Sequence, residues 1–272
     1  MEKINMWTED IFGVKKPIIA MLHLLPLPGD PSYDEVGGIE KVLNRAMHDL
    51  EALQNGGVDG VLISNEFSLP YQRSVDTQVV ASMARIIGQM KDRIKIPYGV
   101  DVLWDPYKVF DLAVAVDAKF VREVFTGAYA SDLGLWEFNY GEIVRHRKAV
   151  GAMGVKALFN IVPEAAAYLA ERDIVSIAKS TVFNCKPDGL CVSGLTAGAS
   201  TDSQTLRKVK DTVGENLVFA NTGVRLENVE EQLSIADGAV IGTTFKRDGQ
   251  FYNEVDEARV KKFMEKVKEL RK

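Results

Sequence analysis

Two short stretches carry the residue types that hold an oxyanion. LVFANTGV at 217–224 and GAVIGTTF at 238–245 are apolar runs that end in small residues and hydroxyls. Gly223 and Gly242 let backbone N–H groups approach a ligand closely, because no Cβ intervenes. Thr222, Thr243 and Thr244 add hydroxyl donors. Consecutive exposed amides at such a turn suit an anion, and a phosphate in particular. Other apolar runs also end in polar residues: His23, Asn65, Glu66, Asp101, Arg122, Glu123, Asn160, Ser193 and Asn221. Carboxylates gathered in one pocket are driven to different pKa values, which supplies an acid and a base. Glu66, Asp101 and Glu123 are read as proton carriers, with His23 as a further one. Asn65, Arg122, Asn160, Ser193 and Asn221 are read as groups that orient substrate hydroxyls or a developing oxyanion. No cofactor is implied. A divalent metal would find Asp101 and Asp105 as its best ligands, but no motif of fixed ligand spacing is present.

The elements that position these residues alternate in type. Strand-like runs lie at 17–23, 58–64, 96–102, 120–125, 155–161, 189–193, 217–221 and 238–242. Amphipathic helical stretches follow them at 38–55, 74–91, from 105–106 onward, 142–150, 174–182, 203–213, 226–233 and 256–270. In the first helix, Ile39, Val42, Leu43, Ala46, Leu50 and Leu53 recur at helical spacing. A long loop is expected over 126–141, a small extra helix over 163–170 and a small-residue loop over 194–201. Eight strand–helix pairs in 272 residues fit one (β/α)₈ barrel, with a lead-in at 1–16 and the barrel over 17–272. A doubly wound open sheet uses the same alternation and is the runner-up. Barrel chemistry sits at the C-terminal strand ends, where the polar residues above fall.

Lysine placement bears on mechanism. Lys119, Lys156 and Lys186 precede strands and so belong to the opposite face. A Schiff base needs a desolvated lysine in the pocket. None is expected at a strand end, which disfavours a lysine-dependent aldolase. Lys246 follows the last strand, either as a phosphate neutraliser or as a solvated loop charge. Trp104, Trp136 and Tyr140 either stack on a ring or pack against the barrel. His146, within RHRK at 145–148, is read as part of a solvated face, and His48 beside Asp49 as structural.

The net charge of −5 counts against nucleic acid as a partner. No apolar run reaches the ~20 residues that span a bilayer. The first dozen residues do not read as a signal peptide. Two cysteines, Cys185 and Cys191, fit reduced thiols in the cytoplasm rather than a disulfide framework. Homo-oligomerisation stays open.

Several segments become specific when taken together: AMLHLLPLPGDP at 20–31, NGGVDG at 55–60, SNEFSLPY at 64–71, REVFTGA at 122–128 and ADGAVIGTTFK at 236–246. They resemble the BtpA/SgcQ family over nearly the whole chain. FNIVPEA at 159–165 and VSGLTAG at 192–198 bring the chain closest to the SgcQ branch. The resemblance implies a TIM barrel and an enzyme. The SgcQ branch is associated with carbohydrate uptake and metabolism genes, and the BtpA branch with photosystem I assembly. Many members carry an Asp and then a Lys-His pair after the fifth strand, where this chain has Asn160 and Pro163-Glu164-Ala165. The expected function is acid–base chemistry on a phosphorylated sugar or sugar-like molecule, of isomerase, epimerase or lyase/hydrolase type. The alternative is a non-catalytic assembly factor on a barrel scaffold.

Overall fold

The computed structural model describes residues 7–164, 166–194 and 201–271. Eleven strands occur among them: β1 (Ile18–His23), β2 (Gly60–Ser64), β3 (Tyr98–Asp101), β4 (Phe120–Glu123), β5 (Gly127–Ser131), β6 (Gly134–Phe138), β7 (Lys156–Asn160), β8 (Ala166–Tyr168), β9 (Gly189–Val192), β10 (Val218–Ala220) and β11 (Gly238–Ile241). Eight of them close a parallel barrel in the order β1-β11-β10-β9-β7-β4-β3-β2. The (β/α)₈ expectation therefore holds, and the open sheet is excluded. The helices are α1 (Trp7–Phe12), α2 (Gly38–Gly56), α3 (Thr77–Met90), α4 (Lys108–Val116), α5 (Tyr140–Ala149), α6 (Ile174–Cys185), α7 (Ser203–Val213), α8 (Val229–Ile235) and α9 (Glu257–Leu270).

Strand alternation splits the core in two. Ile19, Met21, Leu62, Phe120, Leu158, Cys191, Phe219 and Val240 fill the barrel interior. Their neighbours in sequence, such as Ile18, Val61, Val121 and Ala239, face the helices. The helix α1 plugs the bottom: the Trp7 ring stacks 6.3 Å from Phe219 and Phe12 meets Phe120 edge-on at 5.5 Å.

An Asp-Gly pair repeats at the bottom of β2, β9 and β11. Asp59, Asp188 and Asp237 accept the amides of Ile18, Ala157 and Val218 from the neighbouring strand. Each also meets a cation, from Arg271, Lys156 and Lys210 respectively. The following glycines leave room for the plug. A Cβ on Gly60 would come within 2.5 Å of the Phe12 ring, and one on Gly238 within 2.6 Å of Phe219.

Two expectations for connecting segments are corrected. The 126–141 segment is not a plain loop, and no helix forms within the described part of 163–170. β5 pairs antiparallel with β6 and with β8 instead. Tyr129 sits opposite both Trp136 and Tyr168, so three aromatics on one face hold this small sheet over the barrel. Four helix ends follow side-chain capping. Asp173, Asp202 and Asp256 accept first-turn amides of α6, α7 and α9. Asp105 accepts the amides of Tyr107 and Lys108 just ahead of α4, as expected of a capping residue before Pro106, and the regular helix runs from Lys108. The loop expected over 194–201 and the motif at 192–198 fall largely outside the described residues.

Candidate active site

The interior layers of the barrel lead upward to a polar ring. Two residues above each inner core side chain, the same alternation places His23, Ser64, Asp101, Arg122, Asn160, Ser193, Asn221 and Gly242 on the inner face of the rim. Seven of these eight positions are polar. All the polar ones except Arg122 and Ser193 are at most 5% exposed. Burying them without a function or a complete network is unfavourable.

One chain of hydrogen bonds crosses the opening. The Arg122 guanidinium donates to Asp101 Oδ2 at 2.7 and 3.0 Å, and to Asn221 Oδ1 at 2.9 Å. Asn221 Nδ2 donates to Ser193 Oγ at 2.8 Å, and Ser193 Oγ donates to Asn160 Oδ1 at 3.2 Å. Thus Arg122, Asp101, Asn160, Ser193 and Asn221 come together as the residue types suggested. Burial pushes the Asp101 carboxyl up to about 6, against the pull of Arg122. Its Oδ1 has no partner among the described residues.

On the β1–β2 side, His23 Nε2 lies 3.7 Å from Glu66 Oε2. The imidazole packs edge-on against Phe67 at 5.8 Å and beside Phe251 at 5.6 Å. Burial, reinforced by the positive charges of Lys246, Arg122 and Arg45, holds its pKa well below the usual histidine value. The ring is therefore neutral, with Nδ1 unpartnered among the described residues. Gly242 makes this packing feasible, since a Cβ there would stand 3.3 Å from the imidazole. Glu66 accepts from Ser64 Oγ at 3.2 Å and from the Tyr71 hydroxyl at 3.4 Å. Burial raises its pKa.

Two residues in the mouth went unread in the sequence. Tyr71 braces Glu66 and also donates to its backbone carbonyl at 2.9 Å. Glu164, beyond β7, feels both Arg122 and Glu66, and burial pushes it up to about 7. The legible signal for Glu164 was the PEA segment at 163–165, where the sequence departs from the pattern the family resemblance implies. Tyr71 stood within SNEFSLPY.

Several of the nominated residues are engaged elsewhere in the structure. Glu123 follows Arg122 directly, so alternation turns it away from the Arg122 face of β4. Its carboxylate accepts the Val124 amide, Oε1 has no partner among the described residues, and burial raises its pKa well above the usual carboxylate value. Asn65 is 1% exposed and spends its amide on the Leu103 backbone, with Oδ1 accepting the Leu103 N–H at 2.8 Å. It ties the β3–α4 loop to the end of β2. Lys246 neither reaches a phosphate loop nor meets solvent. It is fully buried, 3.3 Å from Asp49 Oδ2, which Arg45 also binds. Asp105 is spent on the amides of Val75, Tyr107 and Lys108, so it cannot join Asp101 as a metal ligand. Among the described residues no three His, Cys, Asp or Glu side chains gather as a metal site requires. Arg147 is not part of a solvated face: it is 7% exposed and donates to the Ala152 carbonyl and toward Asp188. His146 binds Asp111 at 2.7 Å. Tyr140 packs on Phe159.

The small-residue turns lie above β10 and β11. Gly223 adopts φ +63°, which needs a glycine, and its carbonyl accepts from Asn228. The N–H groups of Thr222, Gly223, Gly242 and Thr243 make no backbone hydrogen bond to the described residues. All four residues are partly exposed. Two of the hydroxyls are engaged by the chain itself. Thr222 Oγ1 accepts the Gly194 amide, and Thr244 Oγ1 donates to the Val224 carbonyl, both at 2.7 Å.

The chain matches the family described as the BtpA family over residues 14–269. It is 62% identical over 266 residues to the protein named SgcQ, of the sgc region of Escherichia coli (strain K12), covering 98% of this chain and 99% of that one. It is 30% identical over 261 residues to the photosystem I biogenesis protein BtpA of Synechocystis sp., covering 95% and 90%. Among solved structures, (S)-3-O-geranylgeranylglyceryl phosphate synthase from Thermoplasma acidophilum, in complex with sn-glycerol-1-phosphate, superposes with a TM-score of 0.62. That likeness covers 99% of this chain and all of the other at 15% identity, and it speaks for the fold alone. No helix among the described residues is long and apolar enough to cross a membrane.

Proposed function

This chain belongs to the BtpA family, and from that premise we propose that it is an enzyme acting on a phosphorylated sugar-like molecule by acid–base chemistry. The observation that carries this reading is the rim itself. Seven inward positions are polar, and buried atoms on His23 and Asp101 lack partners among the described residues. Buried polar groups in folded proteins are normally satisfied, and exceptions call for an explanation. A bound ligand supplies one.

The phosphate lies on the free amides of Thr222, Gly223, Gly242 and Thr243, with the Thr243 hydroxyl beside them. The synthase that shares the fold is described in complex with a glycerol phosphate, which fits a phosphorylated ligand for such a barrel. Arg122, Asn160, Ser193 and Asn221 hold hydroxyls or a developing oxyanion on the substrate. Glu66 and Glu164 move protons, since burial brings both carboxyls toward neutral pH, where general acid–base catalysis works best. Neutral His23 is the alternative proton acceptor beside Glu66. Isomerisation, epimerisation and bond cleavage next to a carbonyl or acetal carbon all use such a set. The name of the Synechocystis relative is the one observation that favours a second reading, an assembly factor.

A thermal-shift screen with sugar phosphates separates the two readings. Stabilisation by a phosphorylated compound is expected. Gly223→Asp should abolish that shift, because its side chain brings a negative charge and a strained φ to the anchoring turn. An unchanged affinity in a folded Gly223→Asp protein removes the phosphate assignment.

A further inference from the structure

The chain has three tryptophans, and they are treated differently. Trp7, in the floor plug, donates its indole N–H to the Asp188 carbonyl at 2.9 Å. Trp104 and Trp136 both have buried indole nitrogens with no acceptor among the described residues. Their rings lie 4.9 Å apart. Trp136 is 3% exposed, whereas Trp104 keeps part of its surface open. An indole N–H can only donate. A tryptophan kept for packing alone has its N–H satisfied, as Trp7 does.

The placement of the pair is also informative. Tyr71 meets Trp104 edge-on at 5.9 Å, and the Tyr71 hydroxyl holds Glu66. The three rings thus form a continuous chain of contacts from the proposed acid–base residue. Two loops and the small sheet fix them. The Trp104 amide donates to the Gln72 carbonyl at 3.2 Å, and the Arg73 guanidinium donates to the Leu135 carbonyl of β6. In the ring order, β3 stands across the opening from the β10–β11 turns. A ligand held there by its phosphate meets Trp104 only with its far end.

We propose that Trp104 and Trp136, together with Tyr71, form a subsite for the ring of a cyclic polyol phosphate, so that the substrate is a pyranose- or furanose-type sugar phosphate rather than a three-carbon one. This rests on the phosphate anchoring proposed above. A sugar ring offers what the subsite lacks. Its C–H face lies on the electron-rich aromatic face of Trp104. Its hydroxyl oxygens accept the unpartnered indole N–H groups. A straight three-carbon chain offers neither the face nor the reach.

The test measures binding of hexose 6-phosphates, glycerol 1-phosphate and inorganic phosphate by calorimetry, with tryptophan fluorescence recorded in parallel. At least one hexose phosphate should bind about tenfold tighter than glycerol phosphate, and should change the tryptophan emission where inorganic phosphate does not. Trp104→Ala should remove that advantage and leave inorganic phosphate affinity unchanged. Trp104→Phe, which keeps a ring but not the N–H, should fall between the two, and it serves if the alanine variant fails to fold. Equal affinities for cyclic and acyclic phosphates overturn the subsite while leaving the anchor standing. So does an advantage that survives both substitutions. Failure of every phosphate to bind overturns the anchor, and the subsite with it.

Discussion

The two ends of the barrel use the same residue types to opposite effect. At the floor, Asp59, Asp188 and Asp237 each accept a strand amide and meet a cation. At the rim, Asp101 also meets a cation, yet among the described residues one of its oxygens has no partner, and neither does His23 Nδ1. The floor glycines exist to admit aromatic rings that seal it. Gly242 at the rim admits an imidazole instead, and its partly exposed neighbours have amides with no backbone partner among the described residues. Charge and burial are thus similar at both ends. Each floor carboxylate has an amide and a cation, although Arg271 Nε lacks a partner among the described residues, whereas at the rim the carboxylate and the imidazole themselves keep an unpartnered atom. Unpartnered carboxylate and imidazole atoms, rather than burial itself, are what set the rim apart as the proposed ligand-binding end.

The sharpest way to break that comparison is to remove one carboxylate from each end. Asp59→Ala strips the Ile18 amide and Arg271 of their partner in a little-exposed site. It should lower the free energy of unfolding by about 3 kcal/mol in denaturant titration. Glu66→Gln is nearly isosteric and keeps groups for Ser64 and Tyr71. It should leave stability within ~1 kcal/mol while reducing turnover of the sugar phosphate found by screening at least ~100-fold. If Glu66→Gln destabilises as much as Asp59→Ala, the rim is structural and the contrast fails.

A second test uses pH. Glu164 has its folded pKa raised to about 7 by burial, above its unfolded value. Its protonated form is favoured on folding, so its contribution is fully present below the unfolded pKa and is lost as pH rises toward 7. Asp101, raised to about 6, acts in the same sense over a lower range. His23 acts oppositely: its depressed pKa gives stability above the unfolded value that is lost as pH falls. The wild-type curve therefore mixes the two signs, and the variant isolates one of them. Glu164→Gln should gain about 2 kcal/mol on wild type between pH 5 and pH 8. A difference that does not change with pH would place Glu164 in solvent, away from the mouth.

The barrel was legible because its signal is periodic. Eight apolar runs at strand length, each followed by a helical stripe, leave few other folds for 272 residues. The small sheet was not, because β8 is three residues long and its pairing with β5 is non-local. Within the site, the sequence placed polar residues at strand ends but not on faces. Arg122 and Glu123 were both nominated, although adjacent strand residues point to opposite faces, so alternation separates them. Asn65 and Lys246 needed three dimensions, since their partners Leu103 and Asp49 lie 38 and 197 residues away. Glu164 was visible as a departure from the family pattern, but its approach to Arg122 and Glu66 depends on loop geometry.

The smallest expected effect separates anchoring from tethering at the phosphate turns. Thr244 was read as an anion ligand, yet its hydroxyl donates to the Val224 carbonyl and so links the β10 turn to the β11 turn. Thr243 has no such commitment among the described residues. Replacing each by valine keeps the shape and removes the hydroxyl. A lost tether costs about 1 kcal/mol of stability and only a few-fold in inorganic phosphate affinity, because the amides stay in place. A lost direct donor to a charged oxygen costs about 1.5–3 kcal/mol of binding, roughly 10- to 100-fold, with stability untouched. Thr244→Val should show the first pattern and Thr243→Val the second, read by calorimetry and thermal denaturation on the same samples. If Thr244→Val shows the larger binding loss, the hydroxyl must leave Val224 when the anion arrives. The two turns would then be a closing pair rather than a preformed cradle.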